Sequence, residues 1–290
     1  MNRYFRAIGF LEDFNREKYE QIVEDIMFRP DNSVIRTVLN NNHVLVDKLL
    51  ETGNNKGICV RVIKDEKGTM YRESVFPYFK TDHFEEHNNC SFEKKITGEE
   101  FLGVYEELNL GENVFFHVLN IDEAYKKKAN PESDCHISIS ALSIAGNVIL
   151  PIKKNEHEIE EVRNFNNNRV RLLNMANDGD QNAFATIRRD DILTNVTVSE
   201  QIFVNEMDIY SVVDSSFIPC GAECDLYSIL GEIIDYRKEE NRLSGEKIYE
   251  LDVLVKGVLL KVSIHEKDLL GEPEVGFRFK GTVWLQGFVR

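Results

Sequence analysis

Two histidines and two glutamates stand together in the segment His83-Phe84-Glu85-Glu86-His87. Its H-x-x-E-H spacing is that of inverted zinc peptidases, in which two histidines on one helical face hold zinc and a glutamate polarises water. A metal-dependent hydrolase that uses the His83/His87 pair is therefore one hypothesis. The flanking residues oppose it, because an aromatic segment precedes the motif and two asparagines follow it, which favours a polar loop.

A structural zinc site is a second interpretation of the same segment. His83, His87 and Cys90 supply three side chains of the types that bind zinc. No fourth ligand stands nearby in the sequence, and a solvated loop that contains two histidines explains the pattern equally. The sequence therefore predicts no bound metal and no other cofactor, and it keeps these three residues as candidates.

The five cysteines do not form a recognisable catalytic or metal-binding pattern. Cys220 and Cys224 have C-x-x-x-C spacing, one residue longer than the common redox or ligand pair. The neighbouring acids Glu223 and Asp225 are expected to raise the thiol pKa, which indicates inert side chains. Phosphate-binding glycine loops and the GxSxG nucleophile motif are both missing from the sequence. We therefore expect free thiols in a reducing cytoplasm, and the balance is against an enzyme.

The last β-like run offers a surface suited to binding. Its odd positions from Phe277 onward are mostly apolar, whereas its even positions are mostly polar or aromatic. The even positions and their neighbours on the preceding strand form the candidate binding set: Lys261, His265, Arg278, Lys280, Trp284 and Gln286. A cationic surface with an aromatic platform is how OB-type barrels hold single-stranded nucleic acid or acidic ligands. The alternative is that this face packs on the N-terminal domain and buries Trp284.

These side chains need strands to present them. Residues 227–237 read as a strand that bends at Gly231, and residues 247–256 and 258–265 alternate in polarity and predict a hairpin that turns at Gly257. With the final run, this order predicts an OB-like antiparallel β-barrel over residues 216–290. An open antiparallel sheet packed on the rest of the protein is the alternative.

The upstream chain predicts two further parts. An amphipathic helix is followed by three apparent hairpins (57–63 with 69–76, 101–108 with 113–120, and 136–143 with 147–152). This predicts an antiparallel sheet with helical cover over residues 1–155. The charged, Asn-rich residues 156–176 and the shorter stretch 181–189 predict helices in a connector over residues 156–215. The predicted fold class is α+β.

Composition limits the partners. The chain has 290 residues and a formal net charge of −15, so its overall field opposes nucleic acid and would leave only a local patch for it. The longest uncharged run, residues 136–152, is interrupted by serines, Asn147 and Gly146, so we expect no membrane span. The start of the sequence lacks the apolar length of a signal peptide. The expected location is the cytoplasm.

Three segments carry a family resemblance: residues 5–10 (FRAIGF), 217–233 (FIPCGAECDLYSILGEI) and 269–281 (LLGEPEVGFRFKG). They resemble an uncharacterised clostridial family, a domain of unknown function of about this length. The segment from His83 to Cys90 departs from the family pattern. The resemblance implies a cytoplasmic bacterial protein and carries over no activity, cofactor or catalytic residue.

Three functions follow as hypotheses. The first is a non-catalytic binding or regulatory module for a protein or small-molecule partner, because no complete catalytic constellation is visible in the sequence. The second is a nucleic-acid-binding OB-like module that uses Lys261, Arg278, Lys280 and Trp284. The third is the metal-dependent hydrolase centred on His83 and His87.

Overall fold

The computed structural model describes residues 2–11, 16–29, 34–39, 43–87, 89–96, 98–107, 109–130, 134–152, 156–203 and 208–290. Within these ranges the chain forms two sheets, five α-helices and two 3-10 helices. The α-helices are α1 Arg16–Phe28, α2 Ile121–Ala129, α3 Glu156–Asn177, α4 Gln181–Phe203 and α5 Ile209–Val212. The 3-10 helices are Arg3–Ile8 and Glu266–Asp268. The predicted α+β class is confirmed.

Four antiparallel strands form the first sheet, in chain order: β1 Val34–Val38, β2 Val44–Gly53, β3 Lys56–Lys64 and β4 Met70–Phe79. The predicted hairpin of residues 57–63 with 69–76 is confirmed as β3 and β4. One face of this sheet carries alternating apolar side chains such as Ile58, Val60 and Val62, which are buried against α1 and the first 3-10 helix. Burial of this face fixes the register of the strands.

Eleven strands form the second sheet: β5 Glu85–Glu86, β6 Ser91–Lys94, β7 Phe101–Glu107, β8 Glu112–Val118, β9 His136–Ile149, β10 Ser216–Pro219, β11 Leu226–Glu240, β12 Lys247–Val255, β13 Val258–His265, β14 Leu269–Leu270 and β15 Arg278–Val289. The predicted hairpin of residues 101–108 with 113–120 is confirmed as β7 and β8. The hairpin that turns at Gly257 is confirmed as β12 and β13.

Five of these strands close into a barrel. The order is β11-β12-β13-β9-β15, and β15 pairs back onto β11. Every pairing around the barrel is antiparallel except that of β13 with β9. One barrel strand, β9, therefore comes from the part of the chain upstream of residues 216–290, and the predicted domain boundaries stay a prediction.

Strand β9 corrects one prediction. The expected hairpin of residues 136–143 with 147–152 is wrong, because residues 136–149 form one continuous strand along β15. Gly146 suggested a turn, but it makes room for a ring: a Cβ atom at this position would lie 2.4 Å from Cε2 of Phe279. A glycine inside a strand often marks such a close approach.

Strand β15 has two buried faces. Its odd positions Phe279, Val283, Leu285 and Val289 fill the barrel, as the alternation predicted. On the even face, Trp284 belongs to a second apolar cluster formed with the 3-10 helix Arg3–Ile8 and the first sheet. The barrel is thus packed from inside and covered from outside.

Helices α3 and α4 pack on each other. Leu173, Ala183 and Ile187 are buried between them, and Arg169 pairs with Asp191 at 2.7 Å. Both helices of the predicted connector are confirmed, and the second is longer than predicted. No described helix combines the length and the apolar composition that a membrane span requires.

Candidate functional site

A cleft lies where the segment that follows β4 runs past barrel strands β9 and β13. Ile137, Ile139, Val258 and Leu259 form its apolar wall. The polar side chains that line it are Thr81, His83, Glu85, His87, Tyr105 and Lys261. The enclosed space in the cleft is small, and the rest opens to solvent. The enclosed part therefore suits an ion or a very small group.

Strand pairing holds the histidine segment against the barrel. Glu85 and Glu86 of β5 pair with Ile137 and His136 of β9, and the backbone N–H of His87 donates to the carbonyl of Cys135 at 2.9 Å. The segment is therefore extended. The H-x-x-E-H motif does not lie on a helix, so the helical peptidase geometry is not present.

Three possible metal ligands converge at this cleft, and two of them, Glu85 and His87, line it. Ligand atoms of Glu85, His87 and Glu107 all lie within 4.8 Å of one another. His83 extends the cluster, since its Nε2 lies 2.9 Å from Oε1 of Glu85. The sequence-predicted residues His83 and His87 are thus brought together by Glu85, and Glu107 joins them from β7.

Glu107 is held in place by its own turn. It ends β7, and its Oε1 accepts hydrogen bonds from the backbone N–H and from Nδ2 of Asn109, both at 3.1 Å. The side chain is buried, and burial raises its pKa, against the opposing effect of the Asn109 bonds. The nearby Glu85 raises this pKa further. No cationic side chain pairs with Glu107 in the part of the chain that the structure describes.

His87 is the rigid nitrogen donor of the cluster. Its ring centroid lies 4.0 Å from that of the buried Tyr105, which limits its rotation. Burial lowers the pKa of His87, although Glu85 acts in the opposite direction. A neutral imidazole is the form that binds a metal ion.

Cys90 does not join this cluster. Its Sγ donates to the carbonyl oxygen of His87 at 3.3 Å and also hydrogen bonds with the thiol of Cys135. The structure places the carboxylates of Glu85 and Glu107 beside His87, and the set of His83, His87 and Cys90 stays a prediction. Cys90 fixes the backbone near His87.

The aromatic and amide members of the candidate binding set are buried. Trp284 is 6% exposed, and its Nε1 donates to Oδ2 of Asp225 at 2.9 Å. Gln286 donates to the carbonyl of Pro77 at 2.8 Å and accepts from the N–H of Phe79 at 2.9 Å. Gln286 joins the barrel to the end of β4, and Trp284 is held by the residue that precedes β11. This face of β15 therefore packs within the protein and buries Trp284, as the alternative interpretation predicted.

Arg278 and Lys280 join the barrel to the end of the helical connector. The guanidinium of Arg278 donates to the carbonyls of Leu150, Val213 and Tyr210 over distances of 2.7–3.1 Å. The Nζ of Lys280 lies 4.5 Å from the ring centroid of Tyr210 and hydrogen bonds to its hydroxyl. Both cations are engaged within the protein.

His265 and Lys261 are engaged as well. Nδ1 of the buried His265 accepts from the N–H of Lys267 at 3.0 Å, and its Nε2 lies 3.2 Å from Glu246. The Nζ of Lys261 contacts both carboxylate oxygens of Asp252 at 2.7 Å. Of the six candidates, Lys261 is the one that lines the cleft. A ligand-binding role for the six stays a prediction.

Sequence reasoning missed Glu107 and Tyr105. Both lie on β7, about twenty residues from His87, and the pairing that brings β7 near the cleft is not visible in the local pattern. One local feature of the sequence could have indicated Glu107: the turn that follows it contains Asn109, which can hydrogen bond to its carboxylate.

Comparison with known proteins gives one match. A family model with the description "Domain of unknown function, E. rectale Gene description (DUF3881)" matches residues 5–287. No curated protein and no solved structure matches the chain. The match covers nearly the whole sequence and confirms the resemblance carried by residues 5–10, 217–233 and 269–281.

Proposed function

We propose a function from this chain's own geometry, since the chain belongs to the DUF3881 family, a family of unknown function. The proposal is a non-catalytic binding module that holds a small positively charged ligand in the cleft between the histidine segment and the barrel. The barrel, which we propose is OB-like, serves as the rigid support for that cleft.

The observation that carries this proposal is the environment of Glu107. Glu107 is 6% exposed, and its carboxylate lies beside a second carboxylate, that of Glu85. Burial of a charge is costly unless the charge is paired or binds a metal. Since no described cationic side chain pairs with Glu107, a ligand that brings positive charge would relieve both the burial and the repulsion.

Two features restrict the ligand further. The enclosed part of the cleft is small, and one wall is formed by β9 and β13 side chains that are apolar. Lys261 is already neutralised by Asp252 and does not compete for the two carboxylates. These features support a compact cation, either a metal ion or an amine on a short apolar group.

The other hypotheses have weaker support. For nucleic acid, the proposed cations Arg278 and Lys280 are engaged with backbone carbonyls and with Tyr210, and the chain carries a net charge of −15. For hydrolysis, the extended backbone at His83 and His87 removes the helical geometry. A protein partner stays a prediction, favoured by the apolar side chains Phe184, Ile192 and Val196 that α4 exposes.

A thermal-shift screen of the full chain tests the proposal. The panel contains divalent metal ions, and small primary amines that are each paired with a neutral analogue, and it compares wild type with Glu107→Gln. We expect at least one cation to raise the wild-type melting temperature, since a ligand at 100 times its Kd adds about 2.7 kcal/mol of stability. Glu107→Gln should abolish that rise.

Glu112→Gln is the matched control, because Glu112 is exposed and lies opposite Glu107 on the β7–β8 hairpin. It should keep the full response. A panel in which no cation stabilises the wild type would overturn the proposal. Turnover of a panel compound would remove its non-catalytic part.

A further inference from the structure

We infer that Glu85, His87 and Glu107 bind a divalent transition-metal ion, with His83 available as a fourth ligand. The inference rests on the proposed function, because it names the cation that the cleft would hold. It concerns metal binding only, and no reaction is assigned to the ion.

The donor set favours this class of ion. Imidazole nitrogen suits Zn²⁺, Fe²⁺ and similar ions, whereas Mg²⁺ and Ca²⁺ prefer oxygen ligands alone. One imidazole with two carboxylates therefore selects a transition ion over the alkaline-earth ions. The two negative charges also balance the charge of the ion. His83 would add a second nitrogen without adding charge.

The three ligand atoms lie farther apart than they would around a bound ion, so the side chains must move slightly. Ligand atoms at about 2.1 Å from a shared ion lie roughly 3–3.5 Å apart in tetrahedral coordination. The three donor atoms lie within 4.8 Å of one another, so the cluster must close by about an ångström. Tyr105 and Asn109 hold His87 and Glu107 in place, whereas the side chain of Glu85 is 47% exposed. Glu85 is thus the ligand with the most room to adjust.

Neighbouring groups already hold two of the proposed ligands in place. Asn109 donates two hydrogen bonds to Glu107, and the backbone of His87 is held by Cys135 and Cys90. Outer partners that orient metal ligands contribute about 10–100-fold to metal affinity. In this chain such partners hold the backbone of His87 and the buried carboxylate of Glu107, whose ligand atoms lie close together.

Titration calorimetry on the full chain, stripped of metal with a chelator, tests the inference. The probes are Zn²⁺ and Mn²⁺, with Mg²⁺ and Ca²⁺ as comparison ions and Co²⁺ as a spectroscopic probe. We expect one transition ion per chain, weaker binding of Mg²⁺ and Ca²⁺, and Co²⁺ visible absorption typical of nitrogen and oxygen ligands. Glu107→Gln and Glu85→Gln should each weaken Zn²⁺ binding by on the order of 100-fold, because loss of a ligand exceeds loss of an outer partner.

Glu86→Gln is the control, since Glu86 neighbours the cluster in sequence but is not one of its three members. It should bind Zn²⁺ as wild type does. Glu85 is half exposed, so Glu85→Gln keeps the test valid even if a substitution at Glu107 impairs folding. Zn²⁺ binding that survives both Glu85→Gln and Glu107→Gln would overturn the inference.

The calorimetry and the thermal-shift screen test the metal inference and the proposed function separately. If no transition ion binds but a small amine stabilises the wild type through Glu107, the metal inference is wrong and the proposed function stands. If neither binds, both are wrong.

Discussion

Two buried regions of this chain differ in how their charges are balanced. In the first sheet and at its contact with the barrel, two fully buried cations each have a carboxylate beside them: Arg61 meets Asp47 at 2.7 and 2.8 Å, and Lys56 meets Glu239 at 2.9 Å. In the cleft, by contrast, Glu107 lies beside another carboxylate, that of Glu85. These ion pairs balance their charges within the chain, whereas we propose that a cation from outside the chain balances the two carboxylates of the second region.

This difference separates residues that support the fold from residues that serve a ligand. Polar groups of the candidate binding set, such as Trp284 and Gln286, looked functional in the sequence but are engaged by partners within the protein. A buried carboxylate that lacks a cation is costly to the folded protein. Its presence indicates a role other than stability.

The largest expected effect comes from removing one partner of the buried ion pair between Arg61 and Asp47. Arg61→Met should destabilise the protein by about 3–5 kcal/mol, because it leaves Asp47, which is 2% exposed, without its partner. Urea unfolding measures the loss. The double variant Arg61→Met/Asp47→Asn should recover part of it, since no uncompensated charge remains. A loss below about 1 kcal/mol in Arg61→Met would mean that this ion pair is dispensable.

Gln286→Leu should have the next largest effect, a loss of about 2 kcal/mol or more. The substitution leaves the carbonyl of Pro77 and the N–H of Phe79 buried without their partner. Fluorescence of Trp284 can follow the unfolding, because it is the one tryptophan in the chain and lies two residues away on the same face of β15. An unchanged unfolding midpoint would contradict the role of Gln286 in joining the barrel to β4.

The buried side chain of His117 is an exception at the contact between the first sheet and the barrel. Its two ring nitrogens have no hydrogen-bond partner among the described residues, and the ring packs against Phe76 and Trp284. Burial, followed by the effects of Lys95 and Arg61, holds its pKa well below the usual value of 6.5. A neutral imidazole can stay unpaired at moderate cost, unlike a carboxylate.

His117→Leu should therefore stabilise the protein by about 1–2 kcal/mol at pH 7, since it removes two unpaired nitrogens. Below about pH 6.5 the unfolded wild type takes up a proton that the folded state does not, so wild-type stability falls and the advantage of the variant grows by about 1.4 kcal/mol per pH unit. Urea unfolding at pH 7 and pH 5 measures both. A constant difference across that range would mean that folding does not lower the pKa of His117.

The strands of the fold were largely predictable from alternation, whereas their partners were not. The odd positions of β15 identified the barrel interior, and the β12–β13 hairpin followed from its turn at Gly257. The parallel pairing of β13 with β9 joins residues more than a hundred positions apart, so no local pattern could reveal it. The predicted break in β9 failed because a glycine that accommodates a neighbouring ring looks like a turn.

The site was predictable only in part, for a related reason. His83 and His87 stood out because their spacing is local, but the extended backbone and the contribution of Glu107 depend on strand pairing. Alternation also could not distinguish a solvent-facing polar side from a polar side that packs on another layer. Trp284, Gln286 and Arg278 are of the second kind.

The free energy of unfolding of Glu107→Gln, measured without metal at pH 7, tests the central claim most directly. Because burial raises the pKa of Glu107, the folded state binds its proton more tightly than the unfolded state, and stability falls as pH rises above the usual value of 4.5. Glu107→Gln should therefore equal or exceed wild type, by less than about 1 kcal/mol, and the gain should vanish below about pH 4.5. A loss of about 1 kcal/mol or more at pH 7 would show that Glu107 supports the fold, and would contradict its assignment to a ligand.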